Sequence, residues 1–131
     1  MRKGVHKMNK NWLIIAGISG FSAVALGAFG AHGFRDMLKP EMLEIYKTGV
    51  FYQLIHSVVL LALALAAANT LEFSKWFFLA GIILFSFSLY LYAVTGITSF
   101  VYTTPVGGAC FIIGWLSLVW SALRSKSQKI I

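Results

Sequence analysis

Apolar positions in this chain come in long blocks that no charge interrupts, covering 11–34, 48–71 and 76–123. A helix rising 1.5 Å per residue needs about 20 mostly apolar residues to cross the hydrocarbon core of a bilayer. The first two blocks accommodate one crossing each. The third is twice that length, and its centre, GITSFVYTTPVGG, carries the Gly, Ser, Thr and Pro of a turn. The pattern predicts four transmembrane helices, near 12–31, 50–68, 76–96 and 106–123. The fold class is therefore all-α, an integral membrane four-helix bundle, with residues 1–131 forming a single membrane domain.

Within the blocks, small residues recur at helical spacing. Helix one has Ala16, Gly20, Ala23, Gly27 and Gly30; helix four has Gly107, Cys110, Gly114, Ser117 and Ser121. Helix three has Gly81, Ser88 and Thr95, with Phe85, Tyr92 and Ser99 between them on the same predicted face. In lipid, where removal from water no longer drives association, such stripes let helix backbones approach and gain dispersion contacts. Gly20, Gly27, Gly30, Gly107 and Gly114 are the expected packing positions. Gly33, closing the run GAFGAHG at 27–33, is placed to end helix one in a left-handed conformation. A phosphate-cradling loop would also use glycines, but no strand precedes this one.

The connections are short. NTLEFSK at 69–75 makes helices two and three antiparallel neighbours, with Ser74 a candidate cap. Thr104 before Pro105 reads as the cap and first residue of helix four. Residues 40–46, PEMLEIY, suit a short amphipathic helix on the outer surface or an extension of helix two.

Composition agrees with a membrane protein: 59% hydrophobic, 11% charged, mean hydropathy +0.81. The formal net charge of +7 is distributed unevenly. Arg2, Lys3, Lys7, Lys10, Lys75, Arg124, Lys126 and Lys129 flank one side of the predicted bundle, and only Arg35, Lys39 and Lys47 the other. The positive-inside rule then puts both termini in the cytoplasm, with Trp12, Trp76 and Trp120 at the inner interface and Tyr46 and Tyr102 near the outer one. Membrane lipid is the expected partner, with some attraction for anionic headgroups. The basic residues form no stripe on a soluble surface, so no nucleic-acid partner is expected. The basic start and the apolar run ending AFGA have the outline of a cleavable signal, but the run is longer than the 7 to 15 residues of a signal core. Cys110, the one cysteine, has no intrachain partner and reads as a small apolar filler. Self-association to a homo-oligomer, or pairing with another membrane protein, is compatible with so small a bundle.

Candidate chemistry centres on helix two, where Gly49, Tyr52, Gln53, His56 and Ser57 share one face of a leucine-rich span. His56 falls about 10 Å from the outer end of that helix. His32, Tyr92, Thr95, Thr104, Gly107 and Gly108 belong to the same outer half, which makes His32, Tyr52, Gln53, His56, Tyr92, Thr95 and Thr104 the candidate polar cluster. Intramembrane ionisable groups are functional candidates by default. Three readings stay open: first, interhelical hydrogen bonding that locks the bundle; second, a site for a small molecule, lipid, proton or cofactor; and third, catalysis. No acidic residue lies in a span, and HExxH, CxxC, Ser-His-Asp and Walker patterns are absent. No catalytic residue, cofactor or metal site is expected; two histidines at unequal depth fall short of the three or four ligands most transition metals take.

The motifs LGAFGAHG, YQLIHS at 52–57, FSFSLYLYAVTG at 85–96, TPVGG at 104–108 and IIGW at 112–115 together resemble, in order and spacing, the YgdD/YwdK family of small bacterial membrane proteins. The resemblance runs from about Trp12 to Leu123. It implies a four-helix multi-pass protein of the bacterial cytoplasmic membrane, and brings no activity, substrate or cofactor with it. The family pattern usually has Gly where this chain has Phe87, and often Ala in place of Ser57.

Overall fold

In a computed structural model, residues 8–66 and 68–125 are described and form four long antiparallel helices. Helix one is Lys10–His32 and helix two is Pro40–Ala66. Helix three is composite: a 3-10 turn Asn69–Leu71, an α-helix Glu72–Gly81, a π-helical turn Ile82–Ser86 and an α-helix Phe87–Thr95. A 3-10 segment, Thr98–Thr103, leads into helix four, Thr104–Arg124. All four are long and apolar enough to cross a membrane. Helix one packs on two and helix three on four, and two against three joins the pairs. The side chains turned outward are the large apolar ones, among them Phe21 at 76% exposure, Val24 at 62% and Leu116 at 62%, which is how a protein faces lipid rather than water.

Several helix ends differ from the sequence expectation. Helix two starts ten residues before the predicted span, with Pro40 at its first position: 40–46 extend it, the second of the two alternatives for that segment, and bury Tyr46 to 1% exposure. Gly33 is right-handed at φ −84°, and its N–H bonds to Phe29 O at 2.6 Å. The left-handed glycine is Gly96, φ +70°, which ends helix three with its N–H on Tyr92 O. Ser74 lies inside helix three rather than at its cap, and its hydroxyl is 2.6 Å from Ser117 Oγ. Thr104 opens helix four without capping it; its hydroxyl turns to Ser88 Oγ at 2.7 Å.

The π turn has the largest consequence. Its hydrogen bonds reach five residues back instead of four, which delays the helical face by about one position. Extending the Gly81 stripe at ordinary α spacing would bring Tyr92 and Thr95 to the interface. Past the turn, Tyr90 and Ala93 are buried instead, while Tyr92 is half-buried and Thr95 exposed.

Candidate functional site

Gln53 is the hub of an intramembrane network. It is 1% exposed, and its amide nitrogen donates to Ser19 O at 3.0 Å and to Ser22 Oγ at 2.8 Å, both on helix one. Its amide oxygen accepts from Tyr90 OH on helix three at 2.7 Å. One side chain thus ties three helices. Beside it, the Ser57 hydroxyl donates to Gln53 O at 2.6 Å, so the short Ser19–Ser57 contact, also 2.6 Å, has Ser19 as donor. Toward the start of helix two, Tyr46 OH donates to Leu26 O at 2.7 Å beneath Gly30, where a Cβ would meet the Tyr46 ring at 2.5 Å.

His56, one turn further along helix two, faces helix four and is 4% exposed. The indole N–H of Trp115 donates to its Nε2 at 3.2 Å. Because that nitrogen accepts, the proton must sit on Nδ1, which donates to Tyr52 O at 2.8 Å. The hydrogen bonds therefore specify one neutral tautomer. The ring lies 3.7 Å from Phe111 at an interplanar angle of 10°, with Phe78 and Tyr52 at 5.6 and 6.0 Å. Nothing in this arrangement leaves a ring nitrogen free for a metal or substrate.

Of the remaining candidate residues only Tyr52 lies beside either of these two, against His56. His32 is exposed at the end of helix one. Tyr52 is 37% exposed, its ring over Phe85 at 4.5 Å. Thr95 bonds within its own helix end, donating to Leu91 O and accepting from Ile97 N. Thr104 pairs with Ser88. The single outer-half cluster thus separates into a Gln53 network, a His56 aromatic site and isolated helix-end contacts.

Sequence reasoning passes over Ser19, Ser22, Tyr90 and Trp115. Ser19 and Ser22 stand three residues apart in a charge-free helix, a spacing that places both on one face. Trp115 sits in mid-span, away from the interfaces that Trp favours, so its N–H needs an internal acceptor. Tyr90 is hidden by the π turn. The glycines divide similarly: a Cβ at Gly107 would overlap the Phe85 backbone, and one at Gly114 would lie 2.8 Å from the Phe78 ring, whereas at Gly20 the nearest atom is Ser57 Cβ at 3.9 Å. Among the described residues no three His, Cys, Asp or Glu side chains come together.

No solved structure matches this chain. Curated relatives do, over almost their whole length. A UPF0382 membrane protein of Haemophilus influenzae is 42% identical over 125 residues, 92% of this chain and 99% of the relative. The UPF0382 inner membrane protein YgdD of Escherichia coli is 40% identical over 124 residues, covering 90% and 93% respectively. The UPF0382 membrane protein YwdK of Bacillus subtilis is 38% identical over 120 residues, covering 88% and 98%. With residues 26–108 also matched by the family described as a protein of unknown function, DUF423, the chain belongs to that family of membrane proteins, and its four long apolar helices fit a multi-pass one.

Proposed function

We propose that the protein is a non-enzymatic structural or accessory component of the cytoplasmic membrane, inserted with both termini inside, and that its intramembrane polar side chains hold the bundle in one arrangement. The observation that carries this reading is hydrogen-bond saturation. Gln53 uses both ends of its amide and His56 both ring nitrogens on protein partners. Groups committed in this way act as interhelical ties. The test is thermal melting in detergent of Gln53→Leu and His56→Leu, with and without membrane extract. Both variants are expected to melt below the parent, with extract shifting all three alike. Variants as stable as the parent, with extract stabilising the parent alone, would overturn it. For the topology, a reporter joined after Ile131 should work only if it is a cytoplasmic one.

A second reading, passage or binding of a small molecule or proton, is supported by Ser86. Its hydroxyl, fully buried in the π turn, has no hydrogen-bond partner among the described residues, and π turns in helices frequently accompany function. Ser86→Ala should leave stability unchanged or higher under the structural reading, because it removes an unsatisfied group. Loss of a proton leak in proteoliposomes on the same substitution would favour the second.

A further inference from the structure

The two ends of the bundle are chemically unlike. At the end formed by the 1–2 and 3–4 connections, Arg35, Lys39 and Lys47 are balanced by Asp36, Glu41 and Glu44. At the other end the described residues include Lys10, Lys75 and Arg124 against Glu72 alone. Tryptophans mark this end as an interface: Trp12 and Trp76 meet edge to face at 5.0 Å, and Arg124 lies over Trp120 at 4.6 Å.

Here a pocket of about 440 Å³ opens between the first turns of helices one and three, lined by Asn9, Lys10, Asn11, Asn69, Glu72 and Lys75 among others. Lys75 forms part of that lining although its side chain is only 1% exposed. Its ammonium donates to Glu72 Oε1 at 2.7 Å and lies 5.5 Å from the centroid of the Trp12 ring. An ammonium has three N–H donors, and among the described residues this is its one hydrogen bond. Glu72 accepts two further bonds from the protein: Asn9 Nδ2 donates to Oε1 at 3.2 Å and Trp12 Nε1 to Oε2 at 2.9 Å. The carboxylate is thus committed to the protein, while the buried cation keeps donor capacity. The first turns of helices one and three meet here, the former capped by Asn9 Oδ1 on Trp12 N and the latter carrying Glu72.

We propose that this pocket binds the phosphate of an anionic phospholipid headgroup, with Lys75 at its floor, Lys10 at its rim and the Asn9, Asn11 and Asn69 amides as further donors. The position supports a lipid source, because the pocket lies beside Trp12, at the end of the bundle where tryptophans gather, and tryptophan favours the headgroup level. Its net charge supports an anionic one. This site is independent of the Gln53 and His56 contacts, so the structural reading of those residues can fail without affecting it.

The test uses the full chain in a neutral detergent, with phosphatidylglycerol, phosphatidylcholine or inorganic phosphate added, read by native mass spectrometry and by melting. Phosphatidylglycerol should be retained and should raise the melting temperature more than phosphatidylcholine does. Lys10→Gln, an exposed position whose loss leaves the fold intact, should weaken retention about fivefold, the effect of one basic residue at an anionic surface. Lys75→Gln should weaken it further, and Lys39→Gln, at the opposite end, should leave it unchanged. Equal response to the two lipids, or equal loss from Lys10→Gln and Lys39→Gln, would overturn the site. Full stabilisation by inorganic phosphate alone would overturn the lipid as its source. Should Lys75→Gln fail to fold because it strands Glu72, the Lys10 and Lys39 pair still decides the matter.

Discussion

The seam between helices one and two and the seam between helices three and four solve the same problem differently. In the first, glycines face side chains, Gly27 against Val50 at 3.1 Å and Gly30 against Tyr46, and polar groups do the joining through Ser19, Ser22, Gln53 and Ser57. In the second, glycines and phenylalanines interlock in both directions: Gly81 with Phe111, Gly107 with Phe85 and Gly114 with Phe78. Neither device depends on exclusion of water, which bilayer hydrocarbon does not supply as a driving force. Polar pairs also cross the second seam, Ser74 with Ser117 and Ser88 with Thr104, and Gly30 is tight against Tyr46 in the first. The difference is thus one of degree: the first seam leans more on polar atoms and the second more on small volume.

Gly107→Ala should break this comparison most visibly. The added methyl would overlap the Phe85 backbone nitrogen and lie 2.7 Å from the Leu84 carbonyl carbon, where no side chain can turn aside. Helix four must move off the π turn. Overpacking of this kind typically costs 1–3 kcal/mol, and backbone opposition sets the expectation at the upper end, about 3 kcal/mol. A large fall in the detergent melting temperature checks it. A parent-like melt would mean that the seam is loose enough to slide.

That contact also marks where the sequence stops being informative. The four spans are legible because charge-free length is a bulk property, and helix two reads short only because Glu41, Glu44 and Lys47 resemble a boundary, whereas they lie on an exposed face of its first turns. Gln53 and His56 stand out by residue type alone. Their partners do not, because Tyr90, rather than Tyr92, reaches Gln53 only after a π turn has delayed the face. No residue in IILFS announces that turn. It is held from outside, by Gly107 on one side and by Gly49 on the other, where a Cβ would lie 3.1 Å from Ser86 O. Long-range packing of this sort leaves no local signal.

At the polar seam, Gln53→Leu should come next. It strands the buried Tyr90 OH, while the Ser22 hydroxyl loses the Gln53 donor but keeps its own bond to Ser19 O. Interhelical hydrogen bonds in membranes average about 0.6 kcal/mol and reach about 1.7, so loss of a three-helix tie should amount to about 1–2 kcal/mol. Gln53→Glu in the same melt would sharpen the point, since a carboxylate cannot donate to Ser19 O. A cost above that of Gly107→Ala would reverse the ranking of the two seams.

His56→Leu touches both devices and should cost about 1 kcal/mol, because it leaves the Trp115 N–H without an acceptor but keeps an apolar side chain against Phe111. His56→Gln, which can still donate to Tyr52 O and accept from Trp115, should cost less. Melting both alongside Trp115→Phe checks the assignment: combined with Trp115→Phe, the gap between His56→Leu and His56→Gln should narrow. An unchanged gap would show that the indole bond contributes nothing.

The smallest expected effect is at Gly20. A Cβ there meets only Ser57 Cβ at 3.9 Å, ordinary contact, and Gly17 next to it on the same open groove has no atom within 4 Å. The groove is lined also by Leu13, Leu54, Val58 and Leu61, side chains that can accommodate one methyl. Gly20→Ala should therefore stay within about 0.5 kcal/mol of the parent, as substitutions away from packed features do. The measurement has value because the monomer alone fixes the expectation. If Gly20→Ala lowered the melting temperature as far as Gly107→Ala, the groove would have to be filled in the membrane by something the single chain does not contain. Size-exclusion chromatography of parent and variant would then show whether that is a second copy, by a shift from dimer to monomer on substitution.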